Sequence, residues 1–193
     1  LFYMEIIDRK QFKAAEKKYS DNIRKGAVFV YPTDTVYGLG CDATNEQAVG
    51  RLRKIKKKPG GPMSVVAPSK EWVRENCVID GKAEKWLKKL PGPYTLILKL
   101  NNPKAVSGNV NDNGETLGVR IPKHWFSKVI SELKKPIIST SVNITDKKFM
   151  TSIEDLDKNI KKKVDFAVYE GKLNGAPSTI IDLSNKEAKI IKR

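Results

Sequence analysis

The chain has 193 residues, of which 39% are apolar and 31% charged, and its 37 Lys and Arg outnumber 22 Asp and Glu, giving a net charge of +15. A chain of this length can bury a full core as one soluble domain, and its apolar residues cluster in short periodic runs, which argues against disorder. Cys41 and Cys77 are far apart and form no CxxC or Cys/His group, which excludes a disulfide framework and an ordinary zinc site, and no apolar run approaches the roughly 18 residues of a membrane-spanning helix.

The excess of positive charge has two explanations that composition leaves open. Lys and Arg neutralise phosphates and release counterions, so the chain is expected to attract polyanions such as RNA or nucleotide phosphates. A lysine-rich surface also serves solubility or heat tolerance. No secretory signal is readable, so we expect a reducing, cytoplasmic location in which both cysteines fill core space.

Apolar periodicity and cap residues predict helices that alternate with strands. In chain order we predict a helix over residues 8–26, a strand over 27–31, a helix over 44–58, a strand over 63–67, a short helix after Ser69, a helix over 83–90, strands over 94–100 and 116–121 around a polar loop, a helix over 125–133, a strand over 137–140, a helix over 153–160, and strands over 164–169, 178–183 and 189–191.

This alternation predicts an α/β fold with an open sheet that mixes parallel and antiparallel strands and is flanked by helices. No repeat or linker divides the chain, so residues 1–193 are expected to form a single domain. Polar turns at the strand ends would gather on one rim of the sheet, where open α/β folds bind ligands.

Hydroxyl groups and glycines follow the first predicted strand within residues 31–40. Thr35 lies in this segment, where short hydroxyl side chains can bond a polar ligand; a plain turn capped by threonines is the alternative. Gly38, Gly40 and Ala43 fit a dinucleotide-binding pattern, but it does not begin where the strand ends and no acidic residue follows at the expected distance. We therefore reject a Rossmann site, and a P-loop sequence is absent.

A lysine run ends the helix predicted over residues 44–58. Lys56 and Lys58 stand before a Pro-Gly-Gly turn, from which they can reach a cleft at the strand ends and bind a triphosphate. The alternative is a solvated charge run facing the negative end of the helix dipole.

Further polar groups interrupt or follow apolar strands. Arg120 lies inside a strand, where a guanidinium needs an anionic partner, either a ligand carboxylate or an internal ion pair. Ser139, Ser141 and Asn143 follow another strand and Ser178 begins a later one, with simple capping turns as the alternative. Together these hydroxyls, amides and cations suit phosphoryl or nucleotidyl transfer, in which Mg²⁺ arrives on the phosphates.

Six motifs occur along the chain in a characteristic order: YPTDTVYGLG, KIKKKPGGPMSVV, LPGPYTLIL, TLGVRIP, STSVN and PSTIIDL. This ordered set resembles the YrdC-like family of threonylcarbamoyl-AMP synthases over nearly the whole chain, in its short, single-domain form.

The resemblance implies a YrdC-like twisted α/β domain with a basic concave face. It also implies a nucleotidyltransferase that condenses L-threonine, bicarbonate and ATP into threonylcarbamoyl-AMP and pyrophosphate, with Mg²⁺ carried by ATP. A separate threonylcarbamoyl transferase would use the product to modify an adenosine in tRNA. That transferase is thus an expected partner, direct contact with tRNA or RNA is a further expectation, and no membrane is involved.

The resemblance assigns roles to residues at the matching motif positions. Threonine is expected to bind Thr35, Arg120, Ser139 and Ser178. ATP is expected to bind Lys56, Lys58, Thr116, Ser141, Asn143, Lys192 and Arg193, with Lys56 and Lys58 as the catalytic cations. No resident metal site is implied.

The chain departs from the family pattern at Lys58, where an arginine with its bidentate fork is usual, and the following loop is one residue short. Residues 140–143 and 146–150 also differ from the usual pattern. Two alternatives therefore stand beside the synthase: an RNA-binding module of the same fold without adenylating activity, and a related carbamoyl-adenylate enzyme acting on another acceptor.

Overall fold

The computed structural model describes residues 4–112 and 114–192, and within them ten strands form one mixed sheet. The strands are β1 (Glu5–Ile7), β2 (Phe29–Tyr31), β3 (Gly38–Gly40), β4 (Ser64–Val66), β5 (Tyr94–Lys99), β6 (Thr116–Arg120), β7 (Ile137–Ser141), β8 (Phe166–Val168), β9 (Thr179–Asp182) and β10 (Lys189–Ile191). The α-helices are α1 (Arg9–Ala14), α2 (Glu16–Arg24), α3 (Glu46–Lys56), α4 (Lys70–Asn76), α5 (Gly81–Lys88), α6 (Phe126–Leu133) and α7 (Lys158–Lys161).

The strand order is β1-β8-β2-β3-β7-β4-β6-β5-β9-β10. The pairs β1–β8, β2–β8, β4–β6 and β5–β9 are parallel, and the other neighbours are antiparallel. The predicted open sheet of mixed direction, flanked by helices, is thereby confirmed. No helix in the described part of the chain has the length and apolarity to cross a membrane.

Both faces of the sheet are buried against helices. Successive residues of a strand face opposite sides, and accordingly Val28 and Val30 join an apolar cluster with α3, α4 and α5. Phe29 and Tyr31 join a second, aromatic-rich cluster with α1, α2 and α6. The continuous apolar run around β2 is therefore explained by burial on both sides.

Two short strands and two helix breaks were not predicted. The predicted helix over residues 8–26 divides at Ala15 into α1 and α2, and β1 precedes it. The segment predicted as a turn contains β3, which was missed because glycine is uncommon in strands. A Cβ on Gly40 would lie 2.7 Å from the ring of Tyr31, so this strand needs glycine to pass over the neighbouring ring.

The helix predicted over residues 153–160 is also divided. A 3₁₀ turn covers Ile153–Asp155, and α7 begins after Asp157, whose side chain accepts a hydrogen bond from the backbone of Asn159. Ile153, Leu156 and Ile160 all pack on the core, as their spacing predicts, but they do so from two separate helical turns.

Small polar residues replace apolar ones along the face that carries the aromatic cluster. Ser64 lies two residues before Val66 of that cluster, and Ser139 lies two residues after Ile137, so each pair shares one face of the sheet. This change of residue type opens a cleft over the central strands.

The aromatic cluster is expected to contribute strongly to stability. The ring of Phe126 is 1% exposed and its centroid lies 5.4 Å from Phe12 and 5.2 Å from Tyr31. Because its removal leaves a cavity, Phe126→Ala is expected to lower the free energy of unfolding by about 3–5 kcal/mol, measured by urea denaturation. Phe149→Ala, at a partly exposed loop position, is the matched control, and an equal loss in both variants would contradict the cluster's importance.

Candidate functional site

The cleft has a volume of about 260 Å³ and is lined by residues from six strands and their loops. Its polar lining consists of hydroxyls, amides and two cations: Tyr37, Lys58, Ser64, Thr95, Asn111, Thr116, Arg120, Ser139, Thr140, Ser141 and Ser178. Parallel and antiparallel strands bring these positions together from residue 37 to residue 178.

Arg120 is the buried cation of the cleft. It ends β6 at 6% exposure, and one terminal nitrogen of its guanidinium donates to the Asp34 carboxylate at 2.9 Å and to the Thr35 hydroxyl at 3.0 Å. Burial lowers the pKa of Arg120 from its usual value, while the charge of Asp34 opposes that shift. Its Nε atom is buried without a hydrogen-bond partner among the described residues, so the guanidinium retains donor capacity for a ligand.

The turn that holds Asp34 and Thr35 is fixed from several sides. The Thr35 hydroxyl lies 3.0 Å from that of Thr33, and the second oxygen of Asp34 accepts from the backbone N–H of Lys123 at 2.8 Å. A Cβ on Gly175 would collide with the carbonyl oxygen of Thr35, so the glycine lets the two backbones touch. Thr35 is buried, and its hydroxyl is linked to the cleft by its hydrogen bond from Arg120.

Residues 170–177 form a segment that crosses this turn and leads into the cleft. The Glu170 carboxylate accepts from Trp125 Nε1 at 2.7 Å and lies 2.8 Å from His124 Nε2, and the Tyr37 hydroxyl donates to the carbonyl of Gly171 at 2.6 Å. Ser178 follows directly, and its hydroxyl lies 2.6 Å from that of Thr95 across the cleft wall. The segment is therefore tied down at both ends.

Lys56 is a buried cation beside the cleft. Its ammonium donates to the carbonyl of Ser141 at 2.7 Å and to Asn143 Oδ1 at 2.5 Å, and the Ser141 hydroxyl also donates to Asn143 Oδ1 at 2.8 Å. Burial, with a contribution from the nearby charge of Lys58, lowers the pKa of Lys56 to about 8. Lys56 is therefore still a cation at neutral pH and ties α3 to the end of β7.

The structure brings most of the predicted site residues together. Those that line the cleft are Arg120, Ser139, Ser178, Lys58, Thr116 and Ser141. Thr35, Lys56 and Asn143 adjoin it through hydrogen bonds with the lining residues Arg120 and Ser141. Lys192 is exposed after β10 and does not line the cleft, and Arg193 lies outside the described residues.

Sequence reasoning did not single out three contributors. Asp34 forms an ion pair with Arg120, which was one of the two alternatives for this arginine. Arg120 also lines the cleft, so the ion pair leaves its place in the site unchanged. Thr95 lies inside an apolar strand at 2% exposure, and a buried hydroxyl in such a strand was an available signal. Asn111 lies in a polar loop, where nothing local distinguishes it, although its amide donates to the carbonyl of Thr116 at 2.5 Å.

Both cysteines are buried core residues. Burial raises the pKa of the Cys77 thiol to about 12 and raises that of Cys41 as well. Neither lines the cleft, as expected from the sequence.

Comparison with known proteins relates nearly the whole chain to one family. The Sua5/YciO/YrdC family model, described as "Telomere recombination", matches residues 21–193. A protein of Methanocaldococcus jannaschii, provisionally named as a threonylcarbamoyl-AMP synthase, is 34% identical over 168 residues, which cover 84% of this chain and 77% of that protein.

Solved structures agree with this relation. Pyrococcus abyssi Sua5 complexed with L-threonine has a TM-score of 0.86 and 29% identity over 97% of this chain and 56% of that one, so the chain spans little more than half of it. Escherichia coli YciO has a TM-score of 0.82 and 26% identity over 100% of this chain and 95% of that one. The Pyrococcus abyssi relative named threonylcarbamoyl-AMP synthase is 33% identical, and the matched region is 48% of its length.

The burial of Lys56 predicts an unusual titration. In ¹³C NMR of lysine side chains, Lys56 is expected to titrate near pH 8, and Lys58→Met is expected to raise this pKa because it removes a neighbouring positive charge. Lys57→Met, at an exposed position, is the matched control and leaves the pKa of Lys56 in place. The signal is assigned by its loss in Lys56→Met, and a Lys56 titration at the ordinary value of 10.5 would contradict the burial of its charge.

Proposed function

The chain belongs to the Sua5/YciO/YrdC family, and from that premise we propose that it is a threonylcarbamoyl-AMP synthase, which condenses L-threonine, bicarbonate and ATP into threonylcarbamoyl-AMP and pyrophosphate. The observation that carries this proposal is a single cleft lined by a buried guanidinium with an unused donor, by hydroxyls and by a lysine. The names of the archaeal relatives and the threonine complex of Pyrococcus abyssi Sua5 support it.

Threonine would bind around Arg120. A guanidinium is the preferred partner of a carboxylate, and Arg120 is already oriented by Asp34 and Thr35. The hydroxyls of Ser139 and Ser178 would bind the other polar groups of the amino acid. Because Asp34 and Thr35 occupy only one terminal nitrogen of the guanidinium in these bonds, a second anion can approach the rest of it.

ATP would bind toward the ends of α3 and β7. Lys58 would neutralise the triphosphate. Lys56 would add a second positive charge from its buried position beside the cleft, where it also holds Ser141 and Asn143 in place. Thr116 would contribute a further hydroxyl. Mg²⁺ enters with ATP as part of the substrate, and Lys192 and Arg193 would have to reach the nucleotide from the end of the chain.

The reaction suits a site of this composition. The threonine amine adds to bicarbonate with loss of water, and an oxygen of the resulting carbamate attacks the α-phosphorus. A new P–O bond forms while the bond to the bridging oxygen breaks, and pyrophosphate leaves with the electron pair. The cleft contributes by holding the carbamate and phosphorus together and by stabilising negative charge on the leaving group.

The product is a reactive mixed anhydride that a transferase has to consume. We propose that a separate threonylcarbamoyl transferase accepts it for the modification of adenosine in tRNA, in the cytoplasm. The net charge of +15 would favour a direct contact with tRNA during this transfer.

Pyrophosphate release tests the proposed function. Purified protein with Mg-ATP is expected to release pyrophosphate only when both L-threonine and bicarbonate are present, because the attacking carbamate requires both. Serine in place of threonine is the control for the acceptor. Salt-sensitive tRNA binding without any threonine-dependent release would instead indicate an RNA-binding module, and release with a different amino acid would indicate another carbamoyl-adenylate enzyme.

Arg120→Lys tests the carboxylate site while it keeps the positive charge that Asp34 needs. One ammonium cannot hold Asp34, Thr35 and a ligand as the fork does, so the KM for threonine is expected to rise about tenfold to a hundredfold, with the KM for ATP nearly unchanged. Arg74→Lys, which alters a surface arginine paired with Glu84, is the control. Equal increases in both KM values would argue against a carboxylate role for Arg120.

A further inference from the structure

Arg53 is a buried arginine outside the predicted site, with its side chain 8% exposed on the last turns of α3. Its Nε donates to the carbonyl of Asn109 at 2.7 Å, and its two terminal nitrogens donate to the carbonyls of Lys58 at 3.2 Å and Gly61 at 2.7 Å. One guanidinium therefore binds two separate loops, residues 58–62 and residues 108–112.

These two loops form one rim of the cleft. The first carries Lys58 and Pro62 and the second carries Asn111, all of which line it. Asp112 adds a second link, because its carboxylate accepts from the backbone N–H of Gly61 at 2.7 Å. Gly61 has a φ of +78°, so its position depends on glycine and on these bonds.

The 58–62 loop begins where the backbone N–H of Lys58 donates to the carbonyl of Arg53 at 3.0 Å, and small residues follow. Its Pro-Gly-Gly sequence supplies no large side chain to pack, and the Lys58 ammonium donates to the carbonyl of Pro62 within the same loop at 2.9 Å. A flexible loop would spread Lys58 over many positions, and charge stabilisation requires a fixed one. The guanidinium of Arg53 holds this loop in a fixed position, since it extends from a helix that is packed on the core.

We propose that Arg53 is a positioning residue for the phosphate end of the cleft, acting through the two loops that it ties together. This rests on the proposed synthase function only in naming ATP as the ligand. Arg53 itself touches no substrate; it sets where Lys58 and Asn111 stand.

The test compares Arg53→Lys with Arg51→Lys. Arg51 lies on the same helix and also makes three guanidinium bonds, to Asp165 and the carbonyl of Lys163, but these lie away from the cleft. A lysine supplies donors from one point and cannot span the carbonyls of Asn109, Lys58 and Gly61. Arg53→Lys is therefore expected to raise the KM for ATP about tenfold and to leave the KM for threonine unchanged, whereas Arg51→Lys changes neither.

Two further measurements do not depend on turnover. The dissociation constant of a non-hydrolysable Mg-ATP analogue, measured by calorimetry, is expected to rise in Arg53→Lys, and amide hydrogen exchange within residues 58–62 and 108–112 is expected to become faster. If wild-type protein binds the analogue but releases no pyrophosphate, the synthase proposal fails while the role of Arg53 is still measured.

Asp112→Ala extends the test to a variant that keeps the buried arginine. The Asp112 side chain is 59% exposed, and one of its oxygens lies 3.9 Å from a terminal nitrogen of Arg53, so its loss weakens the same link while the carbonyl bonds of Arg53 remain, and a smaller change in the same direction is expected. Unchanged nucleotide affinity and unchanged exchange in Arg53→Lys would overturn the proposal. Parallel losses of threonine affinity, ATP affinity and thermal stability would overturn it too, because they would indicate a general structural role.

Discussion

The guanidinium of Arg120 is buried within the sheet, where a charge without a partner would cost several kcal/mol. Asp34 supplies that partner, and Lys123 in turn supplies a backbone donor for the second oxygen of Asp34. Thr35 lies next in the chain, and the backbone of Gly175 closes against it. Three segments far apart in sequence therefore take their positions around one cation, and their mutual bonds fix this end of the cleft.

The cations at the two ends of the cleft are compensated differently. Arg120 faces a carboxylate, whereas the ammonium of Lys56 faces carbonyl and amide oxygens of Ser141 and Asn143, which satisfy its hydrogen bonds but carry no net charge. The positive charge of Lys56 therefore remains available to an anion, and Lys58 adds to it. This asymmetry matches the substrates of the proposed reaction, which are a single carboxylate at one end and a triphosphate at the other.

Sequence reasoning predicted most of the helices and strands because caps and apolar periodicity are local signals. It also placed Arg120, Lys58 and Ser178 in one site, through motifs whose order along the chain resembles a family. The partners of these residues were harder to predict. Asp34 meets Arg120 across 86 positions of sequence, and Arg53, which precedes the lysine run of α3, is buried although nothing in its neighbouring sequence indicates it. Burial and long-range pairing depend on the assembled sheet, which local patterns do not describe.

The position of β8 in the sheet has a consequence for synthesis. It lies between β1 and β2, so these two strands have no common neighbour until residue 166 has left the ribosome. Until then β2 has one unpaired edge, of the kind that invites pairing with other chains. Gly175 and Ser178 emerge later still, together with the core residues Ile181 and Leu183, so the cleft and one end of the core are completed at the same stage of synthesis.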